Sequence, residues 1–182
     1  MKKIFLLAVL GFGVLASCKK HNAAGGVTNF DSQHLTCKID GQAFTFNANL
    51  QATRNTIGAV TTIAITGYTA QTGNNIQGLG VGWSNSPTDT IFGTGLWIDT
   101  SHLYTVFGVY DATSTDAWES GTNTTGQATW DGITITDRFY LNITYVDSTG
   151  VKGTFGGDFY DSGTIPGTKK VITSGDFVAR WK

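Results

Sequence analysis

The chain has 182 residues, a formal charge of −1 and only 14% charged residues, with a single glutamate, Glu119. No basic run exceeds two residues, which speaks against a nucleic-acid footprint. No stretch reaches the ~20 apolar residues of a membrane-spanning helix, and two cysteines and three histidines supply little for a disulfide framework or a zinc site.

The first predicted element is an address. Lys2 and Lys3 precede an apolar run, Ile4 to Leu15, of signal-peptide length, and Leu15-Ala16-Ser17-Cys18 closes it. Small residues directly before a cysteine resemble the lipobox of bacterial lipoproteins. The expectation is a signal peptide over 1–17, removed on export, and a diacylglyceryl and acyl (palmitate-like) anchor on Cys18. Each buried CH₂ contributes roughly 0.8 kcal/mol, so two or more chains hold a protein to a bilayer. An ordinary secretory signal with a chance cysteine is the alternative. Loss of Lys2 and Lys3 leaves ten of the 12 lysines and arginines against 13 acidic residues, so the mature chain carries about −3 before its amine is counted.

Residues 18–33 are small and polar and read as a flexible tether; 34–182 read as one domain. If Cys18 is lipidated, Cys37 has no intrachain disulfide partner. Its place in Leu35-Thr36-Cys37-Lys38-Ile39, with alternate residues apolar, points to a buried thiol, and a reactive or intermolecular thiol is the sharper alternative.

The domain alternates short β-branched and aromatic runs with Gly, Asn, Asp, Ser and Thr clusters and shows no helical period. Asp40-Gly41, between two alternating runs, predicts a hairpin with a two-residue type I′ turn. Further strands are expected near 59–67, 76–84, 90–98, 102–110, 126–136, 138–147, 150–161 and 170–181. The fold class is therefore all-β, an antiparallel β-sandwich or flattened barrel of about nine or ten strands. Phe139, Leu141, Ile143 and Tyr145 share a predicted inward face, as do Val151, Phe155 and Phe159, and Phe177, Ala179 and Trp181.

Three stretches carry a family resemblance: Asp40-Gly41-Gln42-Ala43-Phe44, Gly153-Thr154-Phe155, and Ile172-Thr173-Ser174-Gly175-Asp176-Phe177. With the N-terminal lipobox, they are similar to a family of Bacteroidota lipoproteins of unknown function. The resemblance implies a β-sandwich-like domain on a cell-envelope membrane and brings no activity, cofactor or site residues. Lipoproteins of that phylum bound for the cell surface often carry acidic residues after the cysteine. Here Lys19-Lys20-His21 follows it, which favours an outer-membrane protein facing the periplasm. The resemblance also implies O-glycan acceptors at Asp89-Thr90-Ile91 and, more loosely, Asp147-Ser148-Thr149, although such tripeptides also arise by chance.

Candidate chemistry is sparse. His21, His34 and His102 do not pair at ligand spacing, and no metal or cofactor is expected. Asp111, Asp116 and Glu119 share one loop, with Asp158 and Asp161 in a second cluster; solvated acids are the plain reading, with calcium or glycoside cleavage as sharper ones. No G-x-S-x-G elbow occurs, and no enzymatic activity is expected. Gly78, Gly80 and Gly82 fall on one face of a strand opposite Leu79, Val81 and Trp83, and Gly93 and Gly95 share a face with Trp97. If adjacent, these strands would offer a patch of bare backbone for a sugar or peptide; if covered by aromatics of the same chain, they would serve packing. Trp118, in a polar loop, reads equally as a binding aromatic or a loop anchor. The expected function is a non-catalytic binding or interaction module. Its partners would be the membrane, through the lipid, and a glycan or envelope protein; a structural subunit or a hydrolase is the alternative.

Overall fold

The structure, a computed structural model, describes residues 30–85, 93–98, 104–113, 116–120, 129–130, 133–134, 138–161 and 168–182. Cys18, most of the tether, Asp89-Thr90, His21 and His102 lie outside them. The chain is all-β, and the described residues contain no helix. The strands are β1 (His34–Ile39), β2 (Gln42–Thr45), β3 (Ala48–Ile57), β4 (Val60–Tyr68), β5 (Gly78–Asn85), β6 (Gly95–Ile98), β7 (Tyr104–Asp111), β8 (Ala117–Ser120), β9 (Thr129–Trp130), β10 (Ile133–Thr134), β11 (Tyr140–Val146), β12 (Gly150–Asp161) and β13 (Lys169–Arg180).

The first hairpin forms as expected. Asp40 (φ 51°) and Gly41 (φ 84°) both take the left-handed region a type I′ turn requires. The Asp40 carboxylate accepts the Val171 N–H at 2.9 Å and pairs with Lys170 at 2.9 Å, fastening the turn to β13. Alternation in β1 buries Leu35, Cys37 and Ile39.

Eleven strands form one curled antiparallel sheet with the path β2-β1-β13-β12-β8-β7-β5-β4-β3; β11 also pairs with β12, and β6 with β11. β12 organises the curl. Its first half pairs with β11 and its last residues with β8. A bulge separates the halves at Gly157, whose φ of 128° suits only glycine and whose Cβ would lie 2.5 Å from Phe139 Cα. The far end of the sheet returns to β13: Ala52 of β3 bridges Trp181 in parallel, and the Lys182 N–H donates to the Ala52 carbonyl at 2.9 Å. The result is an open, flattened barrel in which a single hydrogen-bonded sheet supplies both walls.

Leu35, Ile65, Val81, Trp83, Leu141, Phe155 and Phe177 are fully buried at its centre. Phe159 meets Phe139 edge-on at 5.3 Å. Space for these rings comes from facing glycines: a Cβ on Gly108 would lie 2.2 Å from the Phe159 ring, and one on Gly153 would lie 2.6 Å from Phe177. The predicted inward faces are buried, apart from Trp181 and Tyr145, which are half-buried. A register shift between Ile143 and Tyr145 leaves Tyr145 half-buried beside Phe30.

The strand expected near 126–136 is instead two short strands, β9 and β10, in a sheet of their own, and β3 lies where no strand was expected. Two further features differ. Phe30 is buried against Gly150, Asp31 pairs with Arg180, and the Gln33 side chain accepts the Arg180 N–H, so the last residues assigned to the tether are docked on the domain. The polar loop holding Trp118 is strand β8, paired with both β7 and β12.

Candidate functional site

The sheet lines up a row of residues on its outer face where β4 ends. Register pairs run Tyr68 to Gly78, Gly78 to Asp111, and Asp111 to Ala117. Facing residues on neighbouring strands project to the same side. Tyr68 is 41% exposed, and a Cβ on Gly78 would lie 3.1 and 3.3 Å from two of its ring carbons and 3.5 Å from Asp111 Oδ2. The ring therefore lies over the backbone of Gly78, which is buried beneath it, with a carboxylate at the far side of the same glycine.

Two loops wall this row. The β4–β5 loop is closed at its base by the Thr69 N–H to the Gln77 carbonyl (2.9 Å) and the Gln77 N–H to Thr69 Oγ1 (3.1 Å), and it carries Asn74 and Asn75. In the β7–β8 turn the Ala112 N–H donates to the Asp116 carbonyl, and the Thr113 hydroxyl donates to Asp116 Oδ2 at 3.0 Å. Between them opens a cleft of about 520 Å³ lined by Tyr68, Asn74, Asn75, Ile76, Asp111 and Asp116 among others. An aromatic face offers a sugar ring's C–H surface a stacking partner, while carboxylates accept from hydroxyls and amides both donate and accept.

The residues singled out from sequence fare differently. Leu79, Val81 and Trp83 point into the core and leave Gly78, Gly80 and Gly82 on the outer face. Gly78 lines the cleft but is itself buried, its backbone covered by the Tyr68 ring. Gly82 is covered, because its Cβ would lie 2.2 Å from the Phe107 ring and 2.3 Å from the Ile63 carbonyl; beside Gly80 only the Thr66 methyl comes near, at 3.5 Å. Gly95 belongs to β6, which pairs with β11, whereas β5 lies between β4 and β7. Gly93 and Gly95 therefore do not extend the β5 surface into one patch. Trp97 is in β6, and its side chain lies outside the described residues.

Trp118 pairs across the sheet with Tyr110 and packs on its ring at 5.9 Å, with the Lys170 ammonium 5.2 Å from the indole centroid. Tyr110 is buried, so Trp118 sits on the inner side as an anchor of β8. Cys37 is buried and burial pushes its thiol up to about 12, so it is a packing residue rather than a nucleophile. Asp158 is buried and pairs with Lys169 at 2.9 Å. Among the described residues no three His, Cys, Asp or Glu side chains gather to hold a metal ion.

Tyr68, Asn74 and Asn75 were not singled out from sequence. The available signal was an aromatic at a strand end followed by an amide-rich loop, Tyr68 to Gln77. No protein-family model, curated protein or solved structure matches this chain.

Proposed function

We propose that this is a lipid-anchored cell-envelope protein whose β-domain binds a glycan without catalysis in the Tyr68 cleft. The observation that carries the reading is the exposed Tyr68 ring, supported from below by the buried backbone of Gly78, with Asp111, Asp116, Asn74 and Asn75 around it. A built aromatic platform with convergent hydrogen-bonding groups suits a polyhydroxylated ring better than an apolar ligand. Anchoring rests on the Leu15-Ala16-Ser17-Cys18 box, and a periplasm-facing position in the outer membrane on Lys19-Lys20 and the family resemblance.

Asp111 and Asp116 share the cleft, as a hydrolase would require, but glycoside cleavage uses a desolvated carboxyl as its acid. Asp111 is exposed and Asp116 is engaged by Thr113, which suits both to accepting hydroxyls. A second reading, an accessory subunit that pairs with a partner strand, draws on the edge of β3. Arg54 to Ile57 are exposed there, Ile57 at 73%.

The test is a glycan array followed by calorimetry with wild type and Tyr68→Ala. The expected result is saturable binding to at least one glycan, weakened about tenfold or more in the variant, with the melting temperature unchanged. Equal binding by the variant would sink the assignment to this cleft.

A further inference from the structure

Tyr68 lines a second cleft as well. This one, of about 570 Å³, is bounded by Gln33, Asn49, Gln51, Arg180 and Lys182. It lies where the sheet ends approach each other, and its β3 wall is shaped by a register shift between Ala48 and Gln51 in which Asn49 takes φ 52°. That bulge lets Gln51 resume the outer face: it pairs with Thr66, two residues before Tyr68 and on the same side of β4. Gln51, Tyr68, Gly78 and Asp111 thus stand on one face of four neighbouring strands, β3, β4, β5 and β7. Three strand spacings make that run about 14 Å.

We infer that the two clefts are halves of one groove and that the ligand is a linear oligosaccharide laid across the strands, longer than a disaccharide, with Tyr68 under its middle. This inference rests on the glycan-binding reading above and adds the length of the ligand. The linings agree with it, since amides stand in both clefts beside the ring: Asn74 and Asn75 from the β4–β5 loop in one, and Asn49, Gln51 and Gln33 at the β3 bulge in the other. A compact ligand would use the Asp111 side alone and leave the Gln51 side without a role. A linear chain uses both and lets the central aromatic stack on an internal sugar, so recognition would not require a chain end.

The experiment is calorimetry of the full chain with cello-, xylo- and chito-oligosaccharide series of two to six residues. For the series that binds, affinity is expected to rise about tenfold or more from dimer to tetramer and then level off. Gln51→Ala, and independently Asn49→Gly, which keeps the left-handed backbone available, should reduce tetramer affinity severalfold and leave dimer affinity as it was. Tyr68→Ala should weaken every length. Equal affinity for dimer and hexamer, or a loss in Gln51→Ala and Asn49→Gly that is the same at all lengths, overturns the extended groove while leaving glycan binding at Tyr68 intact. Binding of no series overturns both.

Discussion

His34 is the residue whose ionisation the fold uses most plainly. Its Nδ1–H donates to the Ser32 carbonyl, and its Nε2 meets the Asp176 carboxylate on β13. Burial alone would lower its pKa, and Lys152 opposes protonation too. The Asp176 hydrogen bond, the Ser32 carbonyl and the Asp176 charge outweigh both and raise it above the ordinary 6.5. A pKa raised by folding means that the protonated pair stabilises the native state. That contribution is complete below about pH 6.5 and is lost as pH rises through the folded value. The pair is partly exposed, so its worth is at most about 1 kcal/mol. The melting temperature of His34→Gln should therefore fall below that of wild type at pH 5.5, and the two should converge as the pH rises through the raised folded-state pKa. A gap that widens towards pH 8 would contradict the assigned pair.

At the scale of strands, the three outer glycines of β5 make a graded prediction. Gly82→Ala forces a methyl into the Ile63 carbonyl and the Phe107 ring and should cost about 1–3 kcal/mol in urea unfolding. Gly80→Ala meets only the Thr66 methyl at ordinary contact distance and should be neutral or slightly stabilising. Equal effects at the two positions would contradict the covering of Gly82 by Phe107. The same strand shows what the sequence could and could not tell. Alternation set Leu79, Val81 and Trp83 on one face opposite the glycines, which the fold buries, and Asp40-Gly41 marked the first turn, because burial and turn geometry are local demands on residue type. β3 went unread because Arg54 to Ile57 form an exposed edge and carry no in-out pattern. β8 is four residues long and sits in a polar stretch, so Trp118 passed for a loop residue. The cleft was illegible for a different reason. Tyr68, Gly78 and Asp111 become neighbours only through the β4–β5–β7 pairing, and nothing near any one of them names the other two.

For the whole molecule, the seam decides integrity. β13 pairs with β1 and β12, and its end meets β3 at Ala52. Trp181 adds an indole N–H bond to the Asp147 carbonyl at 2.8 Å. Removing residues 177–182 takes Phe177 and Ala179 from the core and opens the seam at once. Loss of one buried phenylalanine costs about 3–5 kcal/mol, against a total stability of roughly 5–15 kcal/mol for ordinary domains. The truncated protein should lose its cooperative thermal transition and its near-ultraviolet circular dichroism, and a sharp transition at the wild-type temperature would refute this.

The docking of Asp31 and Gln33 beside β13 also fixes how the domain bears force. Strand β1 follows directly and is bonded on both flanks, to β13 and to β2. Gln33 and Tyr68 wall the same cleft, so tension between a lipid-held N-terminus and a polymer gripped at Tyr68 would enter and leave at one end of the sheet. It would reach the Asp31 and Gln33 contacts with Arg180 before the β1 ladders. In a protein anchored and loaded as proposed, the pull would then fall on the seam between β1, β3 and β13 and spare the far end of the core.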